Sequence, residues 1–142
     1  MMHLDRASLG RMFRFGIVGA SGVVVNQGLL MLLHGTFGLP LLLASPIAIE
    51  TSIITNFTLN SHWTWKIDLG GSLRSWTLKM LQYHAATVLT AFAGNVLVLL
   101  GLVHFVGVDY RLANLVGIAV GSGLNYAAGE FWVFRGASKR SS

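Results

Sequence analysis

Long apolar stretches alternate with short polar connections along the chain. Four stretches, at residues 15–37, 41–65, 80–106 and 112–134, each reach the length of about 20 residues that a helix needs to cross a membrane. Only Glu50 in the second stretch and Glu130 near the end of the fourth carry a charge. The pattern predicts an all-α membrane protein with four transmembrane helices.

The connections predict how these helices are arranged. Residues 38–40 and 107–111 are short enough to be tight turns, whereas residues 66–79 form a longer, polar connection. The chain is therefore expected to form two helical hairpins in tandem. Within the central connection, residues 72–79 suit a short amphipathic helix that places Trp76 at head-group depth. A disordered loop is the alternative for this segment.

Basic residues lie on one side of the predicted helices. Of the ten lysine and arginine residues, only Arg111 lies outside the N-terminal segment, the central connection and the C-terminal segment. Because cytoplasmic loops of membrane proteins are enriched in lysine and arginine, the pattern predicts that both termini and the central connection are cytoplasmic. The net charge of +5 then indicates contact with membrane lipids and not with nucleic acid.

Composition excludes several classes of protein. Charged residues make up 11% of the chain, against about 25% in a typical globular protein, so an ordinary soluble domain is excluded. The absence of cysteine excludes disulfides and thiolate metal sites. The five histidines show no metal-ligand spacing, and no paired acidic motif or Ser–His–acid order is present. We therefore expect no metal, no cofactor, no catalytic residue and no enzymatic activity.

The two hairpins resemble each other in sequence. A shift of 69 positions aligns Asn26 with Asn95 and Asn56 with Asn125. The same shift aligns Trp63 with Trp132, Trp65 with Phe134, and Lys66 with Arg135. Matched intramembrane asparagines and tryptophans are less expected by chance than matched leucines. The alignment predicts a duplication with halves at about 14–66 and 83–135, related by an axis along the membrane normal.

Polar residues within the predicted spans are the candidates for function. An amide or carboxyl group in hydrocarbon is costly unless it has a partner. Hydrogen bonds between helices, worth about 0.6–2 kcal/mol each, are the structural explanation for the asparagines. Glu50 lies near the predicted midplane, where it suits a proton relay or a contact to a substrate hydroxyl. A protonated acid bonded to a neighbouring helix is the alternative.

Polar and aromatic residues also meet cations at the predicted cytoplasmic ends of the spans. Cations bind phosphate, while amides and indole rings bind polar groups, so the set suits a phosphate head group attached to a long apolar chain. The alternative is the aromatic belt with snorkelling basic residues that membrane proteins commonly have. The set consists of Arg11, Arg14, Asn56, Asn60, Trp63, Thr64, Lys66, Asn125, Trp132 and Arg135.

Two motifs resemble the GtrA-like family. Residues 14–19 read Arg-Phe-Gly-Ile-Val-Gly, similar to the Phe-x-x-Val-Gly pattern that opens the first span in that family. Residues 56–65 read Asn-Phe-Thr-Leu-Asn-Ser-His-Trp-Thr-Trp, similar to the family's Asn-Phe-x-x-Asn-Arg-x-Trp-Thr-Phe. The resemblance covers essentially the whole chain. Ser61 and Trp65 depart from the pattern, and if the family's arginine binds phosphate, this chain must use Arg14, Lys66 or Arg135 instead.

The resemblance implies a role in cell-surface polysaccharide synthesis. Its first implication is translocation of a polyprenyl-phosphate-linked monosaccharide across the bacterial inner membrane, beside a membrane glycosyltransferase. The phosphate would contact Arg14, Lys66 and Arg135, and the polar path would comprise Asn26, Glu50, Asn56, Asn60, Trp63, Asn95 and Asn125. A similar domain is fused to some dolichol-phosphate mannose synthases, so a non-transporting anchor or docking partner is the alternative. A small proton-coupled exporter that depends on Glu50 is a third hypothesis, and homo-oligomerisation stays open.

Overall fold

The computed structural model describes residues 5–68 and 71–135, without the side chains of residues 110 and 111. Within these residues the chain is helical and contains no strand, which confirms the all-α prediction. Helix α1 is Arg6–Thr36, α2 is Leu41–Thr64 and α3 is Leu73–Val106. Helix α4 comprises Tyr110–Ala128 and continues as a π-helical segment, Gly129–Val133.

Three helices of the described chain are long and apolar enough to cross a membrane, namely α1, α2 and α3. They confirm a multi-pass membrane protein. Helix α4 has the predicted position, but it is not among these three helices. Four polar residues of its sequence lower its hydropathy, Arg111, Asn114, Ser122 and Asn125. The fourth span and the cytoplasmic orientation of the termini therefore stay predictions, and Lys139 and Arg140 lie outside the described residues.

The central connection differs from the prediction. Helix α3 begins at Leu73, so the segment expected to form a separate amphipathic helix is the first two turns of α3. Ser72 has an extended backbone conformation, and no proline or glycine follows it before the apolar stretch begins. Because nothing in this sequence breaks the helix, helical hydrogen bonding continues directly from the polar segment into the apolar one.

Glycines end the first helix of each hairpin. Gly38 and Gly107 have φ values of +70° and +75°, the left-handed conformation that glycine adopts without steric cost. The amide of Leu39 donates to the carbonyl of Leu33 at 2.9 Å, and that of Val108 donates to Leu102 at 3.1 Å. These bonds satisfy carbonyls at the helix ends, as glycine-terminated helices commonly do. The tight turns predicted from the sequence are confirmed.

The chain divides after Asp68 into two compact units, each a helical hairpin. Hairpin 1 comprises α1 and α2, and hairpin 2 comprises α3 and α4. Small residues and aromatic rings fill the interior of each, whereas large apolar side chains such as Leu42 and Phe105 are 84% and 91% exposed. Such an apolar exterior suits a lipid environment. The buried apolar residues are Val18, Ala44, Ala48, Ile53, Phe57 and Trp65 in hairpin 1, and Tyr83, Ala86, Ala113, Val133 and Phe134 in hairpin 2.

Positions that the 69-residue shift aligns have similar environments in their own hairpins. Ala44 and Ala113 are both fully buried, and Trp63 and Trp132 are both exposed. The π-helical segments that end α2 and α4 begin at Asn60 and Gly129, also 69 positions apart (129 − 60). These similarities support the duplication, which stays a prediction.

Candidate functional site

Two consecutive residues of α1 contact the end of α2 in hairpin 1. The Nη1 atom of Arg14 lies 3.4 Å from the carbonyl oxygen of Trp63 and donates a long hydrogen bond to it. The ring of Phe15 packs edge-on against Trp65, with 5.9 Å between the ring centroids. A cation at the C-terminal end of a helix also interacts favourably with the helix dipole. Arg14 is therefore held at the site where the sequence predicts phosphate binding.

Lys66 follows the end of α2 in a strained backbone conformation. Its φ of +49° is positive, which is uncommon for a residue other than glycine and costs about 1–2 kcal/mol. The amide of Ile67 donates to the carbonyl of Ser61 at 2.9 Å across this turn. The Lys66 side chain is exposed. The turn thus presents a cation just beyond the last turn of α2, despite the strain.

Polar residues of the last turns of α2 lie inside hairpin 1. The hydroxyl of Thr64 donates to Oδ1 of Asn60 at 2.7 Å, and that of Ser61 donates to the carbonyl of Phe57 at 2.6 Å. Asn60 is only 1% exposed, so its predicted contact with a head group requires rearrangement and stays a prediction. Ser61, which stands where the resemblance implies arginine, is fully buried and uses its hydroxyl on its own helix. Trp63 is exposed.

In the middle of hairpin 1, a glycine of α1 packs against an asparagine side chain of α2. A methyl group on the α-carbon of Gly22 would collide with the side-chain amide of Asn56 in its present rotamer. The hydroxyl of Ser52 donates to the carbonyl of Gly22 at 2.8 Å. Oδ1 of Asn56 is buried and has no hydrogen-bond partner among the described residues. Asn26 is half-buried on α1, and the Glu50 side chain is exposed on α2.

The end of hairpin 2 has a similar cation and aromatic pair. The Lys79 ammonium donates to the carbonyl of Val133 at 2.6 Å, and the ring of Tyr83 packs against Phe134 at 6.1 Å. Sequence reasoning counted Lys79 only as a basic residue of the central connection. The sequence feature that indicates its role is the spacing of four residues between Lys79 and Tyr83, which places both side chains on one face of α3. Arg135, the predicted phosphate ligand of this half, is exposed after α4.

A cavity of about 200 Å³ lies within hairpin 2. Both predicted asparagines of this half, Asn95 and Asn125, line it. Oδ1 of Asn95 is buried and has no hydrogen-bond partner among the described residues. Sequence reasoning missed the hydroxyl residues, because threonine and serine are common in membrane helices and carry no distinctive spacing here. The complete lining is Thr87, Thr90, Ala91, Asn95, Gly117, Ile118, Gly121, Ser122 and Asn125.

The structure thus brings some of the residues that were predicted to act together into contact or into one cavity, and keeps others apart. Within hairpin 1, Arg14 contacts the backbone of Trp63, whereas Asn56 contacts α1 about two turns deeper. Within hairpin 2, Asn95 and Asn125 share one cavity. The roles assigned to these residues stay predictions.

Comparison with known proteins identifies related sequences. Residues 14–134 match the family described as the GtrA/DPMS transmembrane domain, which confirms the resemblance seen in the motifs. A protein of Pyrococcus furiosus named dolichol-phosphate mannosyltransferase is 38% identical over 120 residues. The alignment covers 83% of this chain and 32% of that protein, so the chain spans about a third of the relative's length.

This relative corrects one expectation from the sequence. The chain was expected to have no enzymatic activity, because it contains no recognisable catalytic arrangement. Its similarity to a protein named as a mannosyltransferase contradicts that expectation. Side-chain patterns within a membrane domain do not show whether that domain belongs to an enzyme.

Proposed function

Because the chain belongs to the GtrA/DPMS transmembrane domain family, we propose that it serves a polyprenyl-phosphate sugar pathway. In this proposal the chain binds a polyprenyl-phosphate-linked monosaccharide and carries it across the bacterial inner membrane. A glycosyltransferase, on the same polypeptide or on a partner, makes or uses the lipid. The observation that carries the proposal is the 38% identity to a protein whose name specifies dolichol phosphate, itself a polyprenyl phosphate.

The cations at the end of hairpin 1 suit the phosphate of such a lipid. The Arg14 guanidinium has five N–H donors in a planar fork, and the long bond to Trp63 uses one of them. Its other N–H groups can donate charge-assisted hydrogen bonds to phosphate oxygens. Lys66 adds a second cation at an exposed position, and Arg135 has the corresponding role at the end of hairpin 2.

Docking of a glycosyltransferase without transport is the second function that an observation favours. The relative is named as a transferase, and only about a third of it corresponds to this chain. In this alternative, the hairpins position the transferase at the membrane and present lipid to it. The proton-coupled exporter is the weakest hypothesis, because the relative's name points to a lipid-linked sugar and not to a soluble cation.

Phosphate binding is tested by measuring the Kd of the purified chain in lipid nanodiscs for polyprenyl-phosphate glucose. We expect Arg14→Ala to weaken binding about ten- to a hundredfold, because a charge-assisted hydrogen bond contributes about 1.5–3 kcal/mol. Arg6→Ala is the control, since Arg6 is another arginine of α1 but is exposed and lies two turns away from the half-buried Arg14. Equal Kd values for the wild type and Arg14→Ala would contradict the assigned phosphate site.

Lys66→Gly separates a functional role from a structural one. Glycine adopts positive φ without strain, so we expect the variant to be more stable by up to about 1 kcal/mol. The same variant loses a cation and is expected to bind the lipid less tightly. Thermal unfolding and the lipid Kd are measured together. A stabilised variant with unchanged binding would show that Lys66 does not contact the phosphate.

A further inference from the structure

The cavity of hairpin 2 is an elongated polar space in the middle of an apolar hairpin. Two asparagines and three hydroxyl residues, Thr87, Thr90 and Ser122, contribute to its lining. We propose that the cavity is a water site, in which a short file of hydrogen-bonded water molecules follows α3 and α4. The inference goes beyond the proposed function, because it needs no lipid ligand and concerns hairpin 2 alone.

An unpaired acceptor is the first argument. Oδ1 of Asn95 is buried and has no hydrogen-bond partner among the described residues. An amide without a partner is costly in an apolar environment. The terminal torsion of asparagine is soft, so the amide can turn towards the cavity that it lines. A water molecule in the cavity then donates the missing bond, which is the usual role of buried water in proteins.

Other polar groups of the lining can bind water as well. The Thr87 hydroxyl lies 3.5 Å from Oδ1 of Asn125, longer than the usual range of about 2.5–3.0 Å between oxygen atoms. Both groups therefore have capacity for a stronger bond. The Thr90 hydroxyl donates its proton to the carbonyl of Ala86 at 2.7 Å and still has lone pairs that accept a bond. The lining thus supplies the several polar partners that a bound water needs.

Length and volume are the second argument. Thr87 and Asn95 lie eight positions apart on α3, and Gly117 and Asn125 lie eight positions apart on α4. At about 1.5 Å per residue, each pair spans about 12 Å along its helix. This is more than a third of the hydrocarbon thickness of about 30 Å. One water molecule takes up about 30 Å³ of liquid, so the volume of about 200 Å³ has room for about six.

The lining suits neutral water better than an ion. None of the nine described residues that line the cavity is ionisable. An ion would lose its hydration there without gaining a countercharge, whereas water only exchanges one set of hydrogen bonds for another. The cavity therefore does not compete with the helix-end cations for the phosphate of a lipid. Ala91, Ile118 and Ser122 are exposed, so the cavity is open on one side.

Thiol labelling tests the water site directly, because the chain contains no cysteine of its own. Maleimides react with the thiolate, which forms in water and hardly at all in hydrocarbon. Ser122→Cys places a thiol in the lining of the cavity. Val120→Cys and Leu124→Cys are the matched controls, since both positions are exposed on the same helix and do not line the cavity.

We expect N-ethylmaleimide to label Ser122→Cys in lipid nanodiscs at least about tenfold faster than either control. Because the two controls lie on either side of Ser122, depth alone would give an intermediate rate. A rate between those of the controls, or equal to them, would overturn the water site. Labelling after denaturation in sodium dodecyl sulfate shows that all three thiols are intact.

A second substitution tests the role of the unpaired acceptor. In the Ser122→Cys background, Asn95→Leu removes the amide at similar size and should lower the labelling rate to that of the controls. Asn26→Leu is its matched control, because Asn26 is a half-buried asparagine of hairpin 1 and does not line the cavity. Fast labelling that survives Asn95→Leu would show that the polar lining does not hold the water.

Nuclear magnetic resonance of the wild type in lipid bilayers needs no substitution, so it provides the answer if a variant does not fold. We expect magnetisation to pass from water to the side-chain amides of Asn95 and Asn125. Transfer to Asn56 should be weaker, because its amide packs against Gly22. No transfer to Asn95 and Asn125, or equal transfer to all three asparagines, would overturn the cavity as the water site. Neither result would affect phosphate binding by Arg14, which the lipid Kd tests separately.

Discussion

The two hairpins share one plan at their ends and differ in the middle. In each, a cation of the first helix bonds to a carbonyl at the end of the second, Arg14 in hairpin 1 and Lys79 in hairpin 2. In hairpin 1 the middle is closed by Gly22 against the amide of Asn56. In hairpin 2 Gly94 packs against Gly121, because a methyl group on Gly94 would collide with the backbone of Gly121. The corresponding asparagine, Asn125, lines a cavity instead.

The residues that lie near the two asparagines differ in size. The 69-residue shift aligns Ser52 with Gly121, and Gly121 has no side chain to keep α3 at a distance. Ser52 instead bonds to the carbonyl of Gly22, next to Asn56. The same asparagine thus contributes to packing in one hairpin and to a polar cavity in the other. Polar residues at aligned positions of the two hairpins therefore need not share one role.

The largest expected effect is a loss of stability when the packed glycine of each hairpin is replaced by alanine. Gly94→Ala places a methyl group against the backbone of Gly121, which cannot rotate away, so we expect a loss of about 3 kcal/mol in stability. Gly22→Ala meets only the Asn56 side chain, which can rotate, and should cost about 1 kcal/mol. Unfolding of the purified variants in detergent measures both values.

Gly123→Ala is the control for these variants, because a methyl group there meets nothing within 4 Å. We expect it to be neutral or to stabilise its helix by up to about 1 kcal/mol. Equal losses for the Gly22 and Gly94 variants would show that the two hairpins close in the same way.

A smaller effect should distinguish the two cations. Lys79→Met removes a short, half-buried bond to Val133, and we expect a loss of about 1.5 kcal/mol in stability. Arg14→Met removes a longer and exposed bond to Trp63, and it should cost about 0.5 kcal/mol or less. The order of the two losses in detergent unfolding is the measured result. The reverse order would indicate that Arg14 has a structural role and is not held for a ligand.

The smallest effect concerns the starts of the hairpins. The backbone N–H of Ser8 donates to the Asp5 carboxylate at 2.7 Å and holds the pKa of that carboxyl below its usual range. A lowered pKa in the folded state means that the stabilisation is present above the unfolded pKa and is lost as pH falls through the folded one. Ser72 makes no such side-chain bond at the start of α3.

We therefore expect the thermal midpoint of the wild type to fall slightly as pH drops below about 4, the ordinary pKa of an aspartate. Asp5→Ala should remove this part of the pH dependence, and Ser72→Ala should leave it unchanged. An identical pH profile for the wild type and Asp5→Ala would contradict the capping role of Asp5.

The sequence predicted the apolar stretches and the turns at Gly38 and Gly107, because these are local features, but it did not predict that α3 begins at Leu73. It predicted a polar role for Asn95 and Asn125, since amides are costly in a membrane. It did not predict their cavity, which depends on how closely α3 and α4 approach at Gly94 and Gly121. Nor did it predict the strain at Lys66, because a lysine at positive φ has no sequence signature.

Movement of polyprenyl-phosphate glucose across liposomes tests the central claim most directly. Purified chain is reconstituted without a glycosyltransferase, and the lipid that reaches the other leaflet is measured with and without ion gradients. The proposal predicts faster movement than in protein-free liposomes, and it predicts that Glu50→Gln binds the lipid but moves little of it. If the wild type binds the lipid and moves none of it under any gradient, translocation is wrong and the docking alternative replaces it.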